Sequence, residues 1–284
     1  MAKTLCIYHG NCDDGFGAAY AVWKKYGDDA EFFEARNRIP PSVDDHDVII
    51  VDFCYPRAVM LDIVERANSV LLLDHHKTSH DEVGDLVSDG TIAGAFDMSR
   101  SGAMMAWQYF HPDKPVPKAI THLHDSDLGL FDLPNTRRYI LALRSHPRVF
   151  EDWDAIMGNP QKLLQEGEVI RRYHDLQVDE IIRFSRLADL NGHSVRVANA
   201  SRAFAGDVAW RLSEDNLFGV CYWHSPHGVR YSLRSDGNFD VSEVAKHFDG
   251  GGHVNSAAFT ADVIVHTLLA EDPAADSVDQ EARI

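Results

Sequence analysis

The chain has no apolar run approaching the roughly 20 residues that cross a bilayer, and its first residues lack a signal-peptide hydrophobic segment. A membrane-spanning helix is therefore excluded and a cytoplasmic location expected. Cysteine is scarce. Cys6, Cys12, Cys54 and Cys221 form no CxxC pair and no regular framework, so reduced thiols rather than structural disulfides are expected. Basic residues are in the minority, with 27 Lys and Arg against 44 Asp and Glu and a formal charge of -17. Such a chain does not coat long duplex nucleic acid, because that binding depends on neutralising many phosphates. A short anionic substrate remains compatible where metal ions and a local Arg/His cluster reverse the potential. The GxGxxG turn of a nicotinamide enzyme is also missing after the first apolar run.

What is present suits a globular protein. The 284 residues are 45% apolar and 25% charged, enough for two domains with real cores. Sixteen histidines is a high count, and their positions give it meaning. Val70-Leu71-Leu72-Leu73 reads as a buried parallel strand that stops at Asp74-His75-His76. The same design recurs. Thr4–Tyr8 reads as a strand ending at His9-Gly10-Asn11-Cys12-Asp13-Asp14-Gly15, with a helix from Gly15 to Tyr26, and Asp47–Val51 as a strand closed by Asp52. A helix from Pro56 to Ala67 follows, and a helical stretch from Pro117 to Leu123 runs into His124-Asp125-Ser126-Asp127-Leu128-Gly129.

Alternating strands and helices predict an α/β fold with a doubly wound, mostly parallel N-terminal sheet and a smaller C-terminal α/β domain. Open sheets of this kind carry their chemistry at the C-terminal ends of the strands. A helix N-cap needs one carboxylate, whereas the turn before the first helix supplies two and a histidine. Four converging Asp/His clusters would repel one another unless cations sit among them. Mixed carboxylate and imidazole donors suit Mn²⁺, with Mg²⁺ second and Zn²⁺ behind them for want of thiolates.

These motifs resemble the DHH family of phosphoesterases. The match runs through His9, Asp13-Asp14-Gly15, Asp52, Asp74-His75-His76 and Asp125-Ser126-Asp127-Leu128-Gly129. It continues in Val229–Ser235 and Gly250-Gly251-Gly252-His253, which resemble the GGGH signature of the DHH-associated C-terminal domain, so the likeness covers about residues 3 to 262. The resemblance implies a metal-binding, nucleotide-binding hydrolase with two Mn²⁺ ions and its active site in the cleft between two domains. By that resemblance Asp52 bridges the metals, and Asp14, His75 and one of Asp125 and Asp127 are terminal ligands, with His9 and Asp13 completing the metal set. His76 sits near the substrate phosphate and Asp74 orients the imidazoles. Arg234, His253 and the amides of Gly250, Gly251 and Gly252 hold the phosphate or base of the substrate.

In many relatives the first motif is His-x3-Asp-x-Asp. Aligned on His9, Asp13 fits the first acid and Asp14 arrives one residue early. Aligned on Asp14-Gly15, Cys12 stands where the first carboxylate is expected. Cys12 as a thiolate ligand and Asp13 through a shifted turn are both open.

The domain boundaries expected are 1–150 for the catalytic metal-binding domain, 151–190 for a helical linker, 191–265 for the substrate-binding domain and 266–284 for an acidic, disordered tail. Val195–Ala198, Phe218–Trp223 and Val229–Leu233 read as strands, and a helix begins near Asp240. The glycines at 250–252 permit positive φ and read as an anion nest. The expected function is nanoRNase-like, an exonuclease (oligoribonuclease) or phosphodiesterase acting on short oligoribonucleotides or dinucleotides. A 3′,5′-bisphosphate nucleotide phosphatase, a cyclic dinucleotide phosphodiesterase and an inactive nucleotide-binding protein are the alternatives. A homodimer is kept as an assembly to test.

Overall fold

In a computed structural model, residues 3–36 and 39–270 are described. They fall into two compact units, Met1–Arg171 and Arg172–Ile284.

The first unit begins with β1 (Lys3–His9), α1 (Asp13–Tyr26), β2 (Ala30–Ala35), β3 (His46–Val51), α2 (Arg57–Arg66) and β4 (Ser69–Asp74). It continues with α3 (Lys77–Ser88), β5 (Ala93–Phe96), α4 (Gly102–Phe110), α5 (Lys118–Asp127), α6 (Thr136–Ser145) and α7 (Phe150–Met157). Helix α8 (Pro160–Arg183) contains the division between the units. The strands form one five-stranded sheet in the order β2-β1-β3-β4-β5, with every pairing parallel. Helices cover both faces, which is why β1, β3 and β4 read as nearly continuous apolar runs.

Alternation along each strand sorts the core into two layers. Cys6, Ile49, Val51 and Leu73 join one cluster with residues of α1, α4, α5, α6 and α7, while Ile7, Val48, Ile50 and Leu72 join another with residues of α2 and α3. In the first layer the fully buried Trp153 meets Phe16 edge-on, with ring centroids 4.7 Å apart. Trp153→Ala is expected to destabilise the protein by about 3–5 kcal/mol in chemical denaturation, the usual cost of emptying a large aromatic site.

The second unit contains β6 (Arg186–Leu190), β7 (His193–Asn199), α9 (Arg202–Ser213), β8 (Gly219–Ser225), β9 (Gly228–Arg234), α10 (Val241–His247), β10 (Gly251–His253), β11 (Ser256–Ala261) and β12 (Thr267–Leu268). They build a seven-stranded mixed sheet, β10-β11-β9-β8-β7-β6-β12, in which β7 and β8 pair parallel. Residues 186–190, read from sequence as the end of a helical linker, are instead strand β6. It joins β7 through Asn191 (φ 54) and Gly192 (φ 81), residues that tolerate the left-handed conformation a two-residue hairpin turn requires.

The start of the expected tail is also built in. The Tyr231 hydroxyl is hydrogen-bonded to His266 Nδ1 at 2.8 Å and accepts from the Val265 amide, and Thr267–Leu268 pairs with β6. Residues 271–284 lie outside the described residues. Among the described residues no helix is long and apolar enough to cross a membrane.

Candidate metal centre

The centre is assembled at the C-terminal ends of β1, β3 and β4, with one carboxylate added from the last turn of α5. Asp52 follows β3 directly and is nearly inaccessible. Its φ of 62° is a left-handed conformation that aspartate tolerates better than most residues. That turn aims its carboxylate between two histidines: His75 Nε2 lies 3.1 Å from Oδ1 and His9 Nδ1 3.3 Å from Oδ2. The neighbouring α4 must start with glycine, because a Cβ on Gly102 would stand 2.5 Å from the Asp52 Cβ.

Asp14, in the first turn of α1, is buried. Its oxygens accept the amides of Gly102 at 2.5 Å and Ala103 at 3.1 Å, so the positive end of α4 holds it. His75 Nε2 is 3.8 Å from Asp14 Oδ2 and 3.4 Å from Asp127 Oδ2. Asp74 turns back over its own strand end. Its Oδ1 accepts the amides of His75 at 2.7 Å and His76 at 3.3 Å and contacts His76 Nδ1 at 2.8 Å, which fixes the His76 ring with Nε2 directed away from Asp74.

Two of the candidate ligands have hydrogen-bond partners outside this group of residues. Asp13 is committed to Arg144 Nε and Arg148 Nη2, each at 2.7 Å. Burial works against ionisation of Asp13, but the two guanidiniums outweigh it and hold the carboxyl below its ordinary range. Asp125 serves the loop that follows α5. It accepts the Asp132 amide at 2.9 Å, the Leu133 amide at 3.3 Å and the Thr136 hydroxyl, and His122 Nδ1 meets the same hydroxyl at 2.9 Å. Asp125→Ala is therefore expected to cost about 3 kcal/mol of stability by leaving buried donors unmatched. Asp127→Ala should instead weaken divalent-metal binding at least ~10-fold with little loss of stability. Denaturation curves and a Mn²⁺ titration of the two variants separate these roles.

In the second unit, Arg234 closes β9 and its Nη1 donates to Ser232 Oγ at 3.1 Å and to the Leu233 carbonyl at 2.8 Å. The three glycines read from sequence as an anion nest stand at the end of α10 and in an edge hairpin. The Gly250 amide caps α10 by donating to the Ala245 carbonyl at 2.8 Å, and Gly251, Gly252 and His253 form β10 against Ala258, Ala257 and Ser256. Only Gly252 among them has positive φ, at 145°. A Cβ on Gly250 would meet the Ala258 carbonyl oxygen at 2.4 Å, so close packing of this hairpin requires glycine there.

The electrostatics of the centre are those of buried acids crowded around imidazoles. Burial, together with the charge of Asp52, pushes the Asp14 and Asp127 carboxyls upward. Asp52 goes the other way despite its burial, because His75 and His9 bond to it. Burial opposes protonation of His75, but its bond to Asp52 and the nearby acids raise it to about 10. A pair of carboxylates about 4 Å apart repels by about 4 kcal/mol at an effective dielectric of 20. The buried Asp127 Oδ2 accepts no hydrogen bond.

Among the described residues of this unit, three sets of donors each lie within 4.8 Å: Asp14–His75–Asp127, His9–Cys12–Asp52 and Asp52–Asp74–His75–His76. Crowded oxygen and nitrogen donors, among them a buried carboxylate oxygen without a hydrogen bond, fit divalent cations. The Gly102 and Ala103 amides and the Arg144–Arg148 pair were not foreseen from sequence. Ser101, an N-cap residue ahead of an apolar helix, was the signal for the first; nothing local signals the second.

No protein-family model matches the chain. Among known proteins it is similar to the uncharacterized protein R106 of Acanthamoeba polyphaga mimivirus, 30% identical over 283 residues, covering 89% of this chain and 66% of that protein. The chain thus spans slightly less than two thirds of that relative's length. Among solved structures, the DHH domain of PF0399, described as a member of a family of ribosomal proteins, aligns with a TM-score of 0.53 at 14% identity, covering 99% of this chain and 87% of that one. RecJ from Thermus thermophilus, solved in complex with Mn²⁺, aligns with a TM-score of 0.50 at 14% identity, covering 92% of this chain and 50% of RecJ. The chain has the fold of the DHH-domain proteins.

Proposed function

We propose that the protein is a divalent-metal-dependent phosphoesterase that hydrolyses phosphodiester bonds in short oligoribonucleotides or dinucleotides. The observation that carries this reading is the meeting of Asp14, Asp52, Asp127, His9 and His75 at one sheet edge, in donor sets whose atoms lie inside 4.8 Å. Two cations would be held by these residues, one with the help of His9 and Asp52 and the other by Asp14, His75 and Asp127, with Asp52 serving both. When bound, such cations supply Lewis acidity toward a phosphoryl oxygen and hydroxide near neutral pH. Mn²⁺ suits the carboxylate-rich donors, with Mg²⁺ as the alternative.

The remaining work falls to the chain's own groups. Asp74 holds the His76 ring and outweighs its burial, so the pKa of His76 is raised, in favour of the ring that carries a second proton. His76 Nε2 is assigned the role of donating that proton in a hydrogen bond to a phosphoryl oxygen as charge develops there. Arg234, His253 and the 250–252 segment are assigned to the nucleotide part of the substrate. The net charge of -17 favours short substrates over long duplexes.

The test is a panel of labelled di- to pentaribonucleotides, a cyclic dinucleotide, a 3′,5′-bisphosphate nucleotide and a chromogenic phosphodiester, each with Mn²⁺ or Mg²⁺. Metal-dependent release of mononucleotides from the short RNAs is expected. Turnover of none of them, with nucleotide binding retained, would establish the competing reading of a non-catalytic nucleotide-binding protein, which the withdrawal of Asp13 from the centre favours.

A further inference from the structure

The donor sets that meet at the sheet end are not alike. One offers only carboxylate and imidazole, from Asp14, His75 and Asp127; another brings the Cys12 sulfur within 4.8 Å of donor atoms of His9 and Asp52. Cys12 occupies the N-cap of α1 in an extended conformation (φ -117°, ψ 139°) but its side chain makes no capping hydrogen bond. Asp13, the other residue of the first motif that was open as a ligand, is held by two arginines. The other thiols have settled surroundings. Cys6 and Cys221 are packed in apolar clusters, and the Cys54 thiol donates to the Tyr55 carbonyl at 3.2 Å. Cys12 alone among the four is placed with an imidazole and a buried carboxylate in one donor set.

Thiolate, imidazole and carboxylate together suit Zn²⁺, Fe²⁺ and Co²⁺, whereas carboxylates with a single imidazole suit Mn²⁺ and Mg²⁺. We infer that the two halves of the centre take different classes of cation: a borderline ion of the Zn²⁺/Fe²⁺/Co²⁺ class at His9–Cys12–Asp52, bound through the Cys12 thiolate, and a harder ion at Asp14–His75–Asp127. The thiol gives its proton to solvent as the sulfur–metal bond forms. This inference rests on the proposed metal-dependent reading and deepens it by naming which half differs and why.

The test uses Co²⁺ as a spectroscopic probe on the metal-stripped full chain. Wild-type protein is expected to develop a thiolate-to-Co²⁺ charge-transfer band in the near ultraviolet that saturates at one Co²⁺ per chain and is displaced by Zn²⁺ before Mn²⁺. Cys12→Ser, a residue favoured at a helix N-cap, is expected to lose the band and to weaken Zn²⁺ binding at least ~10-fold. The variant should still bind one Mn²⁺ by paramagnetic resonance titration. Cys12→Ala serves in its place should the serine variant not fold, and the wild-type spectrum stands independently of both. Co²⁺ bound without the band, or a band that persists in the variant, overturns the inference and leaves the metal centre standing. Absence of stoichiometric binding of any of these ions to wild-type protein overturns the centre itself.

Discussion

Asp52→Asn is expected to lower phosphodiester turnover on the order of 10³-fold, about 4 kcal/mol of transition-state stabilisation, and to lower Mn²⁺ affinity by a comparable factor. The substitution is nearly isosteric, and asparagine tolerates the left-handed backbone that Asp52 adopts at φ 62°, so the turn is retained. What disappears is the charge that stands between His9 and His75 and belongs to two of the donor sets. Calorimetric titration with Mn²⁺ beside a rate measurement at saturating metal distinguishes lost binding from lost chemistry. Wild-type affinity in the variant would remove Asp52 from the centre and the proposed hydrolase with it.

Metal affinity should rise steeply with pH. Without a cation, Asp14 and Asp127 are pushed above the ordinary carboxylate range by burial and by Asp52, and His75 is raised to about 10 despite its burial. These shifts favour protonated forms that an incoming cation must displace, so binding is accompanied by proton release and weakens as pH falls.

The same shifts set the stability of the metal-free protein. The stabilisation from His75 is fully present below its unfolded value near 6.5 and is lost as pH rises through about 10. The raised carboxyls act in the same sense, because above the ordinary value of 3.8 the folded state holds protons that the unfolded chain has released. Asp52, lowered by its histidines, has the opposite slope, but only in acid below 3.8. The melting temperature of the metal-free protein should therefore fall from mildly acidic to alkaline pH, and the increment from saturating Mn²⁺ should be larger at pH 8 than at pH 6. Calorimetry in buffers of different ionisation enthalpy counts the protons. A pH-independent increment without proton release would show that the acids are not the metal's ligands.

Much of the first unit was legible from local pattern. Strands β1, β3 and β4 announce themselves because a strand buried on both faces must be apolar along its length and can turn polar only where it leaves the sheet. Strand β2 gives no such signal: its run, Ala-Glu-Phe-Phe-Glu-Ala, places acids at the edge of the sheet, where only β1 pairs with it. In β5 the four residues Ala-Gly-Ala-Phe are too few for a periodicity to emerge. Helix α5 runs on to Asp127, past the Leu123 expected from sequence, so the fourth acidic cluster is presented by a helical turn.

The order of the apolar strands, the acids and imidazoles that close them, and the family resemblance were all present in the sequence, because each is a property of residues close together in the chain. The choices between Asp13 and Asp14, and between Asp125 and Asp127, were not. Helical residues one and two positions apart point about 100° and about 200° apart, and what each one meets comes from distant segments: Arg144 and Arg148 for Asp13, the start of α4 for Asp14, Thr136 for Asp125 and His75 for Asp127. Only the folded chain brings those partners close enough for charge and hydrogen bonding to decide which carboxylates are tied to other segments and which stand among the clustered oxygen and nitrogen donors.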